Sequence, residues 1–180
     1  MKLAPALLLA GLLAAPAAAA EPAVRDLSIA LDGVQVLASL RLADAFGPEI
    51  RERIDSGLPT GIVYEIELLR DRKRWWDESL DSTRLEVVAM YNAVTHEYLV
   101  NTKLKGRLID SRTVREREAL ERLMTRFIAV PVFVIRDAAP RERYLIKVRA
   151  ELGAGDLLGI VPIERATEWT ESNKVRPRVP

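Results

Sequence analysis

Along most of this chain apolar and polar residues alternate with a period of two, the pattern of strands that bury one face. Leu27, Ile29 and Leu31 share one side of a strand over 25–31. Asp32-Gly33 then predicts a two-residue hairpin turn, because both turn positions favour positive φ, and a second strand follows over 34–42. Phe46, Ile50 and Ile54 recur every four residues. With Pro48 suited to a first helical turn and Gly57 to the left-handed position past a helix end, they predict a short helix over 45–56. Ile62, Tyr64, Ile66 and Leu68 alternate with polar positions that include Glu65 and Glu67. This predicts a half-buried strand over 62–68 that runs on into Arg70-Asp71-Arg72-Lys73-Arg74-Trp75-Trp76. The acidic stretch Asp77 to Ser82 breaks the pattern. Strands over 84–92 and 97–103 follow, paired through a loop at 93–96.

The period then changes. Leu120, Leu123, Met124 and Phe127 form an i, i+3, i+4, i+7 stripe, and Thr113-Val114-Arg115-Glu116 has the form of a capping box. Together they predict an amphipathic helix over 112–126, with Glu118 and Arg122 paired on its wet side. Val130 to Ile135 reads as an edge strand because Pro131 cannot donate to a ladder. Tyr144, Ile146, Val148 and Ala150 give the cleanest alternation, over 144–150. Some seven strands and two helices joined by short links predict a mainly β fold. The expected architecture is an antiparallel, immunoglobulin-like β-sandwich with one amphipathic and one short helix. The alternative is a single antiparallel sheet with both helices on one face.

The first twenty residues stand apart. Lys2, a Leu- and Ala-rich run and the small residues Ala18 and Ala20 have the form of a secretory signal peptide cut after Ala20, the alternative being an uncleaved anchor. No later apolar run is long enough to span a bilayer. The expected organisation is a signal peptide at 1–20, one β-rich domain at 21–172 and a frayed tail at 173–180. The expected location is the periplasm of a Gram-negative cell. Loss of Lys2 leaves basic and acidic residues equal at 26 each, which argues against nucleic-acid binding by bulk charge. The chain has no Cys and one His, so thiol chemistry and zinc–cysteine sites are excluded.

Little catalytic chemistry is left. His96 falls in a hairpin loop with no nucleophile-elbow pattern near it. Glu65 and Glu67 would lie about 6.6 Å apart along a strand, within reach of glycosidase geometry, and a carboxylate-dependent periplasmic hydrolase is the alternative function. A solvated face opposed by cations is the simpler account of the pair. Asp77, Glu78 and Asp81 lack the ligand spacing and central glycine of a calcium loop. Gly153, Gly155 and Gly159 have the wrong spacing for a dinucleotide loop. No cofactor and no metal is expected. The most unusual stretch is the basic run with two tryptophans. Arg72, Arg74, Trp75 and Trp76 form the expected binding patch, one indole plugging the core and the other presented among guanidinium groups to an envelope protein or peptide. Which indole is buried stays open.

Gly57-Leu58-Pro59 after a short helix, then Leu69-Arg70-x-Arg72-x-x-Trp75-Trp76-Asp77, Tyr91-Asn92, Tyr98-Leu99-Val100 and the late Tyr144 to Ala150 run resemble the bacterial domain-of-unknown-function family 4390. The resemblance spans nearly all of the chain after residue 20. It departs at the end, where Trp169 is followed by a polar, Pro-containing tail in place of further aromatics. It implies an exported protein with no assigned activity, accessory to a membrane sensor system. The expected function is therefore a non-catalytic binding or interaction module of the cell envelope, not an enzyme.

Overall fold

A computed structural model describes residues 20–72, 76–136, 141–154 and 163–177. Among them the chain forms β1 (Ala23–Asp32), β2 (Gln35–Ala43), α1 (Pro48–Asp55), β3 (Thr60–Arg70), β4 (Glu78–Asn92), β5 (Glu97–Leu104) and β6 (Arg107–Val114). It continues with α2 (Arg117–Thr125), β7 (Arg126–Val134), β8 (Tyr144–Ala154), β9 (Ile163–Ala166) and β10 (Thr170–Glu171). The fold is mainly β, with two antiparallel sheets and two helices. One sheet has the order β1-β2-β7, and the other the order β10-β8-β3-β4-β5-β6 with β9 also on β8. One hydrophobic core serves both. Tyr64, Ile66, Val87, Ile146 and Val148 from the larger sheet meet Val36, Leu40, Phe127 and Phe133 from the smaller, and Ile54 of α1 with Leu120 and Met124 of α2 join them. Tyr64 and Phe127 touch edge to face at 5.2 Å, and the Tyr64 hydroxyl donates to the Met124 carbonyl at 2.8 Å.

Local chemistry explains the end of α1 and the first hairpin turn. At the end of α1, Gly57 adopts φ +81°. Its N–H bonds to the Ile54 carbonyl while that of Leu58 bonds to the Arg53 carbonyl, a Schellman motif that satisfies two orphan carbonyls. The first hairpin turns one residue later than predicted. Asp32 pairs with Gln35, so Gly33 and Val34 form the turn, and of these two only Gly33 has a positive φ. A turn that needs positive φ at its first position alone spares the β-branched Val34. β7 is the edge strand expected around Pro131, which sits where the register with β2 slips.

Three expectations change. Thr113 does not open a helix. It pairs with Leu99 in β6, and α2 begins at Arg117 behind an extended Glu116 with no side-chain cap. The ladder offered by β5 satisfies this backbone better than a capping box. Both faces of β6 are mostly exposed, so no alternation marked it as a strand. Phe127 belongs to β7 and reaches the core from there. The tail expected to fray from 173 is tied down as far as Val175, which exchanges two backbone hydrogen bonds with Tyr144, both at 2.9 Å.

Candidate binding site at the end of the β3–β4 hairpin

β3 and β4 stay paired down to Arg70 opposite Glu78, after a register shift at Leu68–Leu69. From Glu78 to Ser82 the acidic stretch predicted to interrupt the pattern is therefore strand, because β3 supplies its backbone partners; Leu80 packs against the core while Ser79, Asp81 and Ser82 face water. The strand predicted to continue through Trp76 instead stops at Arg70, so alternation does not decide where the indoles point. Arg74 and Trp75 lie outside the described residues, whereas Arg72 and Trp76 lie within them.

Ion pairs clamp the base of this turn. Arg70 reaches Glu142 at 3.1 Å and Glu78 at 3.5 Å, and Arg72 also bonds Glu78. The Asp77 carboxylate accepts the Arg72 backbone N–H at 3.2 Å. Glu142 further accepts the hydroxyl of the buried Tyr144 at 2.8 Å. On the other side Asp71 is paired with Arg143 and with Lys174, the latter at 3.0 Å, and only 7% of its side chain is exposed. The Lys174 hydrogen bond, helped by the Arg143 charge, holds the Asp71 carboxyl below the ordinary carboxylate range despite its burial. Above this clamp Trp76 stands 93% exposed. Arg72 is thus a positioning cation and Trp76 a presented indole.

A family model described as a domain of unknown function (DUF4390) matches residues 19–158. The chain belongs to the DUF4390 family. No curated protein matches it, and no solved structure does. The hairpin end lies inside the DUF4390 span, and the segment that carries Trp169 lies beyond it.

The other residues singled out in the sequence fall as follows. Glu65 and Glu67 sit on the outer face of the larger sheet. Both Glu65 oxygens are engaged, Oε1 by Arg84 at 3.0 Å and Oε2 by Arg149 at 2.7 Å, and Glu67 pairs with Lys147 at 2.9 Å. That is the cation-opposed pair expected from strand register, since Arg84 and Arg149 lie directly opposite Glu65. Asp77 is used as described, Glu78 is held by two arginines and Asp81 lies 3.8 Å from Lys105. Among the described residues no group of three or more His, Cys, Asp and Glu side chains converges as metal ligands would, and no helix is long and apolar enough to cross a membrane. Gly153 is a β8 residue, and Gly155 and Gly159 lie outside the described residues.

His96 occupies the β4–β5 turn at φ +57°, with its Nδ1 3.0 Å from the Tyr91 hydroxyl. Asn92 shapes that turn, its side-chain oxygen accepting the N–H groups of Val94 and Thr95. Tyr91 in turn lies against Tyr98, whose hydroxyl donates to Asp55 at 2.8 Å, and Arg117 binds the second Asp55 oxygen at 2.7 Å. Burial, reinforced by Asp55, raises the Tyr98 hydroxyl above its ordinary value. Sequence reading missed this cluster because its members are separated by up to 62 positions.

Proposed function

We propose that this chain is an exported, non-catalytic binding module of the bacterial cell envelope, accessory to a membrane sensor system, which docks a protein or peptide partner on the end of the β3–β4 hairpin. The observation that carries this reading is the exposure of Trp76 above an ion-paired base. An indole in water forgoes the burial that makes tryptophan a leading interface residue. Ion pairs of Arg70, Asp71, Arg72 and Glu78 tie down the chain on both sides of it, so less backbone order has to be created on binding. The signal-peptide pattern of residues 1–20, a Lys2 start, an apolar run and small residues at 18 and 20, supports export. The hydrolase alternative finds less support, because the Glu65 oxygens that would face a substrate are already taken by guanidinium groups.

A photo-crosslinking amino acid at position 76, expressed in the native host with its signal sequence, should give one discrete adduct in the periplasm. The control is position 94, since Val94 is an equally exposed tip residue in the β4–β5 turn. Adducts shared by both positions, or none at 76, overturn the reading. Turnover of a glycoside or ester lost on Glu67→Gln would replace it with the hydrolase.

A further inference from the structure

The outer face of the larger sheet carries a groove of about 530 Å³ that shares no residue with the hairpin end. β3 and β4 form its floor, presenting Glu65, Glu67, Ser82, Arg84 and Glu86. Trp169 forms the wall on the β8 side. The other wall is Lys105-Gly106, the turn from β5 to β6. Strand register builds the floor as two rows. Arg149, Glu65 and Arg84 lie in one, and Lys147, Glu67 and Ser82 in the next.

Trp169 is the unusual member. A solvated sheet face needs no tryptophan, yet this indole is laid on that face with Lys147 Nζ 4.7 Å and Arg149 Cζ 5.1 Å from its ring centroid. It remains 36% exposed and is brought there by the link between β9 and β10, both of which pair with β8. The indole is therefore held by cations beneath it and open to the groove beside it.

The charges select the ligand class. Each cation already has a carboxylate beside it, Glu65 for both Arg84 and Arg149, Glu67 for Lys147 and Asp81 for Lys105, with Glu151 a further 3.1 Å from Arg149. A cationic ligand would compete with Lys147 and Arg149 for the indole. An anionic one would have to draw the guanidiniums away from Glu65. A neutral ligand rich in hydroxyls does neither. It can donate to carboxylate lone pairs and accept from guanidinium N–H groups that the ion pairs leave over, and set apolar C–H groups against the exposed part of the indole. We propose that this groove is a binding site for a neutral glycan chain, engaged by Trp169 at one wall and by Glu67, Ser82 and Arg84 on the floor.

The probe is the tetrasaccharide of N-acetylglucosamine, titrated into the folded, signal-free protein and followed by amide and indole NMR shifts. A saturable response centred on Glu67, Ser82 and the Trp169 indole N–H is expected. Trp169→Ala should weaken binding at least about tenfold, equivalent to ~1.4 kcal/mol. Ser82→Tyr keeps the indole and fills the floor, so it should abolish binding even if Trp169→Ala disturbs the fold. Trp76→Ala should leave it unchanged, which separates this site from the hairpin end. Cellotetraose should bind as a second neutral chain, and the de-N-acetylated, cationic tetramer should bind more weakly. No saturable response to either neutral chain, a response elsewhere on the surface, or tighter binding of the cationic tetramer overturns the proposal.

Discussion

Asp71 does at one position what the whole hairpin end depends on. Its carboxylate joins the end of β3 to Arg143 ahead of β8 and to Lys174 near the C-terminus. Because its pKa is lowered in the folded chain, the unfolded chain takes up the proton first as pH falls. The stabilisation is fully present above the unfolded value and is lost as pH drops through the folded one. Asp71→Asn should cost about 1.5–3 kcal/mol at neutral pH, the range for hydrogen bonds to charged groups. Thermal melts from neutral to acidic pH should show the gap between wild type and variant closing. A constant gap would mean that the carboxylate charge contributes nothing. Trp76 is the counterpart on the same turn, since it touches no core residue. Trp76→Ala should change stability by less than ~0.5 kcal/mol in a denaturant titration. A large loss would assign the indole to structure and remove the basis for the docking site.

Among the elements, α2 was legible by its stripe but not by its ends. Leu120 and Met124 do face the core, as their spacing required. The helix spans only nine residues, because β6 claims the stretch in front of it and β7 the stretch behind. Too short to be stable alone, it is held by its buried face. Met124 is fully buried, and its carbonyl takes the Tyr64 hydroxyl. Met124→Ala should therefore destabilise by ~2–5 kcal/mol, as expected of a large-to-small change in a packed core. Loss of ellipticity from α2 alone, with the sheets intact, would refute that coupling. β4 shows the opposite case. Its acidic start looked like a loop in isolation, and only the partner strand β3 makes it extended.

Across the molecule, the segment after β8 fastens the two sheets to each other. Asn173 donates from Nδ2 to the Ile29 carbonyl at 3.1 Å and accepts the Ile29 N–H on Oδ1 at 2.7 Å, pairing with β1 as a neighbouring strand would. Its neighbours Ser172 and Val175 bind Ile146 and Tyr144 on β8. Asn173→Ala should speed hydrogen exchange at the Ile29 amide and lower stability by about 1–2 kcal/mol, two part-buried hydrogen bonds being lost. Unchanged exchange at Ile29 would show that β1 is held by packing alone.

Alternation at 27–31, 62–68 and 144–150 determined the strands, their buried faces and so a mainly β fold, because period-two burial is written residue by residue. The spacing of Leu120 and Met124 determined a helix face, and Pro48 and Gly57 the ends of α1, for the same local reason. The sequence predicted a cation-opposed face for Glu65 and Glu67, but the register of β3 with β4 and β8 chose Arg84, Arg149 and Lys147, the arginine of β8 lying 84 positions from Glu65. The tertiary structure decided what depends on partners distant in the chain. It made Thr113 a strand residue, since the β5 ladder outcompetes a local cap. It ended β3 at Arg70 and left Trp76 in water, which alternation could not settle once the chain turned. It gathered Tyr98, Asp55 and Arg117, and it bound Asn173 to Ile29 across 144 positions, a pairing that only the packing of the two sheets brings within hydrogen-bond reach.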